Sequence, residues 1–95
     1  MQYDRLIEHL SYTIETDRFG TTRYRNRDGQ LHRIDGPALE RYSGTQEWYK
    51  NGVLHRTDGP AIIGENGLKV WYLNGICVSE KEFHRHVRAG FYHEP

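Results

Sequence analysis

Turn pairs containing glycine interrupt the apolar positions of this chain at short intervals: Phe19-Gly20, Asp28-Gly29, Asp35-Gly36-Pro37, Ser43-Gly44, Asn51-Gly52, Asp58-Gly59-Pro60, Asn66-Gly67 and Asn74-Gly75. Between such punctuation there is room only for short strands. Thr21 to Asn26 alternates, with Thr21, Arg23 and Arg25 on one face and Thr22 and Tyr24 on the other, the pattern of a half-exposed strand. Asn-Gly is the favoured pair for a two-residue hairpin turn because both central residues need positive φ, and the flanking Trp48-Tyr49 and Val53-Leu54 suit strands. Pro37 and Pro60 lack an amide hydrogen and hold the preceding glycine extended, so each Asp-Gly-Pro closes one strand and launches the next at Ala38 or Ala61.

The pattern repeats. His32-Arg33-Ile34-Asp35-Gly36-Pro37-Ala38 returns 23 residues later as His55-Arg56-Thr57-Asp58-Gly59-Pro60-Ala61. Trp48-Tyr49-Lys50-Asn51-Gly52 returns at the same 23-residue period as Trp71-Tyr72-Leu73-Asn74-Gly75. Each unit is then about two strands of an antiparallel meander. Tyr24 takes the aromatic place of Trp48 and Trp71 if the turn around Asn26-Arg27-Asp28-Gly29 is one residue longer. The third unit loses the histidine motif and reads Ile76-Cys77-Val78-Ser79-Glu80-Lys81-Glu82-Phe83 instead. Ser79 and Glu82 have capping-box spacing, and Val78 and Phe83 fall at the places of a hydrophobic staple, so a helix is predicted from Glu80. It runs through Val87 and Arg88, with Gly90 placed to end it and Phe83 and Val87 facing the sheet. At the other end, the Leu6, Ile7, Leu10 spacing favours a short helix over Tyr3 to Leu10, the alternative being an extended lead-in to a strand around Tyr12 to Thr16. The predicted fold is mainly β: an antiparallel meander of β-hairpin repeats closed by a short C-terminal α-helix. It forms a single domain over 1–95, with an N-terminal cap (1–22), hairpin repeats (23–78) and a capping helix (79–90).

Composition narrows the function classes. Thirteen basic residues balance thirteen acidic ones, so neither a general polyanion-binding field nor the acidic surface of a nucleic-acid mimic is expected. Ten of the thirteen basic residues are Arg, and with seven Tyr and two Trp they supply the side chains that dominate interaction hot spots. A single cysteine, Cys77, forms no intramolecular disulfide, which makes a reducing cytoplasm the expected compartment, and its apolar stretch reads as inert. Asp4, Arg5, Glu8 and His9 break the apolar run that a signal peptide or membrane span needs, and no membrane partner is expected.

The consensus resembles the MORN-like W-Y-x-N-G repeat proteins. It is most similar to the phage-encoded variety, in which W-Y-x-N-G-x-x-H-R-x-D-G-P-A units run in tandem before a closing S-x-x-E-F helix. The similarity covers Tyr24 to Val87. It implies a β-hairpin repeat ribbon and a viral or mobile-element origin, some MORN-like proteins being described as antitoxins, and it brings no catalytic residues. The first unit departs from the pattern at Arg25-Asn26-Arg27-Asp28, where W-Y-x-N is expected.

Three groups of residues carry candidate chemistry. His32, Arg33 and Asp35, with His55, Arg56 and Asp58, could in principle supply a general base, a phosphate clamp and an orienting carboxylate. The structural reading is stronger: Asp accepts backbone amides and pairs with the neighbouring Arg, while His fills a half-buried place with one nitrogen satisfied. A metal shared between the two copies is disfavoured, because equivalent positions two strands apart lie about 9–10 Å from each other, and His84 and His86 point to different helix faces. No cofactor or metal site is expected. Arg23, Arg25 and Arg27 alternate onto one strand face, with Arg18 and Arg33 near in sequence. This ridge suits a phosphate backbone, a nucleotide or an acidic protein patch, or else protects a sheet edge. In Trp48-Tyr49 and Trp71-Tyr72 one member of each pair faces each side of the sheet. The tryptophans are expected in the core, and Tyr49 and Tyr72, with Tyr42, Phe91 and Tyr92, in a protein-binding patch or, alternatively, a cradle for stacked bases.

The function expected is that of a non-enzymatic phage accessory protein that binds and inhibits or redirects a host protein, such as a host-defence component, in the host cytoplasm. The alternative is an anion, nucleotide or nucleic-acid binding module using the Arg ridge, and behind it a small phosphodiesterase using His32 or His55. An open edge strand also invites a homodimer.

Overall fold

The computed structural model describes residues 12–90. The helix expected over Tyr3 to Leu10, and Phe91 and Tyr92 of the expected aromatic patch, lie outside the described residues. In chain order the elements are β1 (Thr13–Thr16), β2 (Thr22–Arg25), β3 (Leu39–Glu40), β4 (Gln46–Glu47), β5 (Tyr49–Lys50), β6 (Val53–Leu54), β7 (Ile62–Ile63), β8 (Lys69–Leu73), β9 (Ile76–Val78) and α1 (Glu80–Arg88). Seven strands form one antiparallel sheet in the order β1-β2-β3-β4-β7-β8-β9, and β5 and β6 form a separate hairpin. The protein is thus mainly β, an antiparallel meander of hairpin units closed by one C-terminal helix.

The order skips from β4 to β7 because the chain belongs to two ladders and changes ladder at one residue per unit. Trp48 donates its amide to Ala61 in the main ribbon, at 2.8 Å, while its carbonyl accepts from His55 in the side hairpin, at 3.1 Å. Tyr24 does the same, with its amide on Ala38 at 2.8 Å and its carbonyl on His32 at 2.9 Å. The pivot aromatics Tyr24, Trp48 and Trp71 are half-buried, so the tryptophans expected in the core line its edge instead. Tyr24 therefore does occupy the place of Trp48, and the first turn is longer, closed by Gly29 N–H on the Asn26 carbonyl at 3.0 Å.

On one side of the ribbon three turns repeat the same bond, from Gly20 to Asp17, Gly44 to Arg41 and Gly67 to Gly64, at 3.0, 2.9 and 3.0 Å. On the other side, Asn51-Gly52 and Asn74-Gly75 have both central residues at positive φ (48° and 87°, 51° and 81°). This is the type I′ turn that the Asn-Gly pair predicts, whose twist matches that of the flanking strands. The hairpins then stack: Gly52 donates to the Leu31 carbonyl at 2.9 Å and Gly75 to the Leu54 carbonyl at 2.8 Å.

The buried hydrophobic residues are few: Ala38 and Ala61 at 0% exposure, Leu73, Phe83 and Leu39. Extending the strand register by one residue aligns Tyr24, Ala38, Trp48, Ala61 and Trp71 in one row across the ribbon. A methyl is what fits between successive aromatic rings, which explains the invariable Ala after each Gly-Pro in this chain. The helix begins where predicted, with the Ser79 side chain accepting from the Glu82 amide at 3.1 Å. Its C-cap is Ala89, followed by Gly90 at φ 79°. Phe83 is buried and Val87 half-buried.

Candidate functional site

The two His-Arg-x-Asp-Gly-Pro-Ala motifs build an internal spine. The Arg33 guanidinium lies 3.9 Å from the Tyr24 ring centroid and that of Arg56 lies 3.8 Å from the Trp48 centroid, each as a cation over a π face. Arg33 Nε donates to Asp35 at 3.1 Å and its Nη1 to the Pro37 carbonyl at 3.2 Å. Arg56 copies this with Asp58 at 2.8 Å and the Pro60 carbonyl at 3.0 Å. A β-carbon on Gly36 or Gly59 would stand 2.9 or 2.8 Å from the guanidinium carbon, so the glycine of the motif is there to let arginine approach. In the third unit, where no such Arg exists, Phe83 of α1 takes its place against Trp71 with ring centroids 4.6 Å apart.

The histidines connect one unit to the next. His32 Nδ1 accepts the Asn51 amide at 2.8 Å, and His55 Nδ1 accepts the Asn74 amide at 2.9 Å. Accepting at Nδ1 assigns the neutral ring with its proton on Nε2. The lone pair that a general base would use is already given to the next turn.

The remaining candidate residues share the opposite face. Arg23 and Arg25 alternate with Tyr24 along β2, so they point away from the spine and from Arg33. Arg25, Tyr49 and Tyr72 each follow the pivot aromatic of their unit, at equivalent and half-buried positions of three successive hairpins, and Tyr72 lies near enough to Tyr49 to act on its phenol. Arg27 lies past the end of β2, exposed in the turn, so the structure does not align it with Arg23 and Arg25 on the strand. Both strand arginines are ion-paired, Arg23 to Asp17 and Arg25 to Glu15, each at 3.0 Å. Arg23, with the Thr21 amide, holds the Asp17 carboxyl below the usual carboxylate range. Arg25 also donates to the Gly29 carbonyl.

Glu47 is the residue that sequence reasoning missed. It is 7% exposed on this face, accepting from Arg41 Nε at 2.8 Å and from the Tyr49 hydroxyl at 2.9 Å. Burial, reinforced by Glu47, pushes the Tyr49 phenol up to about 12. The only sequence signal was an acidic residue at the position that the neighbouring units fill with Arg23 and Val70. The face is therefore a tyrosine and arginine surface whose charges are locally compensated.

Among the described residues no cluster of His, Cys, Asp and Glu could hold a metal ion. His84 and His86 pair instead with Glu80 and Glu82 along α1, at 3.6 and 3.5 Å. No described helix is long and apolar enough to cross a membrane. Comparison with protein-family models, curated proteins and solved structures found no match to this chain.

Proposed function

We propose that this chain is a non-enzymatic binding protein that docks on another protein through the face carrying Arg25, Tyr49 and Tyr72. The observation that supports this most is the repeated position itself: three successive hairpins carry an arginine and two tyrosines there, the residue types of interaction hot spots. The ion pairs of Arg23 and Arg25 weigh against the phosphate-binding alternative, since a phosphate would have to displace a carboxylate at 3.0 Å in each case. The engaged Nδ1 atoms of His32 and His55 weigh against the phosphodiesterase alternative in the same way. The resemblance of the repeat to phage-encoded MORN-like proteins extends the proposal to an accessory factor that inhibits or redirects a host protein, such as a component of host defence, in the host cytoplasm.

The test is capture from nuclease-treated host lysate at moderate and high salt, comparing the natural chain with an Arg25→Ala/Tyr72→Ala variant whose fold is checked by circular dichroism. The reading expects one host protein retained at high salt and lost with the variant. Capture limited to nucleic acid or nucleotide-linked proteins that salt removes would transfer the assignment to the anion-binding alternative. Capture of nothing specific would overturn the protein-docking reading.

A further inference from the structure

The two ladders end differently at the C-terminal side. The ribbon ladder is closed by α1, whose Phe83 packs on Trp71. Among the described residues the hairpin ladder ends at β9, and α1 does not take up the next hairpin place. Inside the array each return strand receives the following hairpin: the Leu31 carbonyl accepts from Gly52 and the Leu54 carbonyl from Gly75. The residue at that position in the third unit is Cys77, which is exposed.

The hairpin register shows which groups β9 directs outward. Leu73 pairs with Ile76 around the two-residue turn, and Trp71 with Val78, so these are the pairs that exchange ladder bonds. Tyr72 and Cys77 form the intervening pair, whose amides and carbonyls point away from each other. The Tyr72 carbonyl does point away, accepting from the Arg56 amide on the neighbouring hairpin at 3.4 Å. Cys77 therefore presents one N–H and one C=O, in line, to the open edge. Ile76 beside it is 64% exposed. The strand Ile76-Cys77-Val78 carries no charge, proline or bulge, and of the devices that blunt an edge against pairing only its three-residue length is present.

We propose that β9 is a dimerisation edge at which a second copy of this chain pairs, β9 to β9 and antiparallel, about a two-fold axis at Cys77. Antiparallel docking of one hairpin strand on the next is the contact the array already uses twice, and the dimer continues it by one more strand. Pairing about Cys77 is self-complementary: each Cys77 amide meets the other Cys77 carbonyl, and Ile76 of one copy lies opposite Val78 of the other. With thirteen basic and thirteen acidic residues, net charge does not keep two copies apart. The proposal goes beyond the docking face above and does not depend on it.

The experiment is sedimentation equilibrium of the full chain in reducing buffer, beside three variants. Cys77→Ser keeps the edge and is expected to show twice the chain mass, as does the natural chain. Cys77→Pro removes the outward N–H and spares the hairpin's own bonds, which run through Ile76 and Val78, though its ring also fixes the local φ; Ile76→Lys places a charge at the edge and leaves the backbone free. Both are expected at single-chain mass with an unchanged circular dichroism spectrum. Opposed cysteines in a bonded pair have Cα atoms about 5.5 Å apart, within disulfide range, so an added disulfide oxidant, which is reduced to two thiols as the two Cys77 thiols are joined, should link the natural dimer covalently. A natural chain at single-chain mass at every concentration would overturn the proposal and leave the edge for a foreign strand. A folded Cys77→Pro variant that dimerises as well as the natural chain would overturn it equally.

Discussion

Arg56 joins three kinds of contact in one side chain: the Trp48 face, the Asp58 carboxylate and the Pro60 carbonyl. Its side chain is only 19% exposed, whereas Asp58 is 83% exposed and regains water when the arginine is removed, so the loss falls on the Trp48 and Pro60 contacts. Arg56→Ala should cost about 2 kcal/mol in urea unfolding, from a cation–π contact and charged hydrogen bonds. Arg56→Lys should recover less than half, because an ammonium cannot stack and fork together. Gly59→Ala should cost about 1–3 kcal/mol by overpacking against the guanidinium. In the Arg56→Ala background most of that cost should vanish, a non-additivity read directly from the double-mutant cycle. Tyr49 makes a pH prediction. Its phenol is raised from 10.0 to about 12, so the neutral form is favoured by folding. That contribution is whole below about pH 10 and is lost as pH rises through about 12. Alkaline unfolding should therefore weaken the natural chain more than Tyr49→Phe over this interval, and equal slopes would show that Tyr49 titrates as it does unfolded.

Helix α1 works as an element because its start is fixed and one residue is buried. Ser79→Ala should cost about 1 kcal/mol through the lost N-cap. Phe83→Ala should cost roughly 3 kcal/mol by leaving Trp71 without its cover. Both can be measured by thermal or urea unfolding, and the order of the two costs is part of the prediction. This helix was legible in the sequence because capping is local: Ser79, Glu82 and Gly90 carry the signal within one short segment. The Asn-Gly hairpins were legible for the same reason, since positive φ is a property of the turn residues themselves. The change of ladder at Tyr24, Trp48 and Trp71 was not, because strands of two residues are too short to show periodicity on either side of a pivot. Nor were the acid partners of Arg23 and Arg25. The register sets Arg23 opposite Glu15, yet each arginine reaches a diagonal carboxylate, and nothing local in Asp17 or Glu15 announces that. The apolar neighbours of Cys77 did not announce that its side chain is exposed, because its place at the end of the described ladder, not its composition, sets that.

Across the whole molecule each 23-residue unit repeats the bonds of the one before it, so stability should grow with unit number. Among the described residues the buried hydrophobic side chains are few and spread along the array, Ala38, Leu39, Ala61, Leu73 and Phe83, which agrees with this. The aromatic, alanine and arginine contacts repeat instead. A second copy of residues 33–55 inserted after His55 preserves every junction: the added Arg33 meets Trp48, the original His55 meets the added Asn51, and the added His55 meets Asn74. Urea unfolding of this lengthened chain tests the central claim most directly. The account predicts one cooperative transition at a higher midpoint, with an m-value larger by roughly a quarter, the ratio of 23 added residues to 95. A lower midpoint, or an m-value unchanged because the added unit stays unfolded, would contradict it.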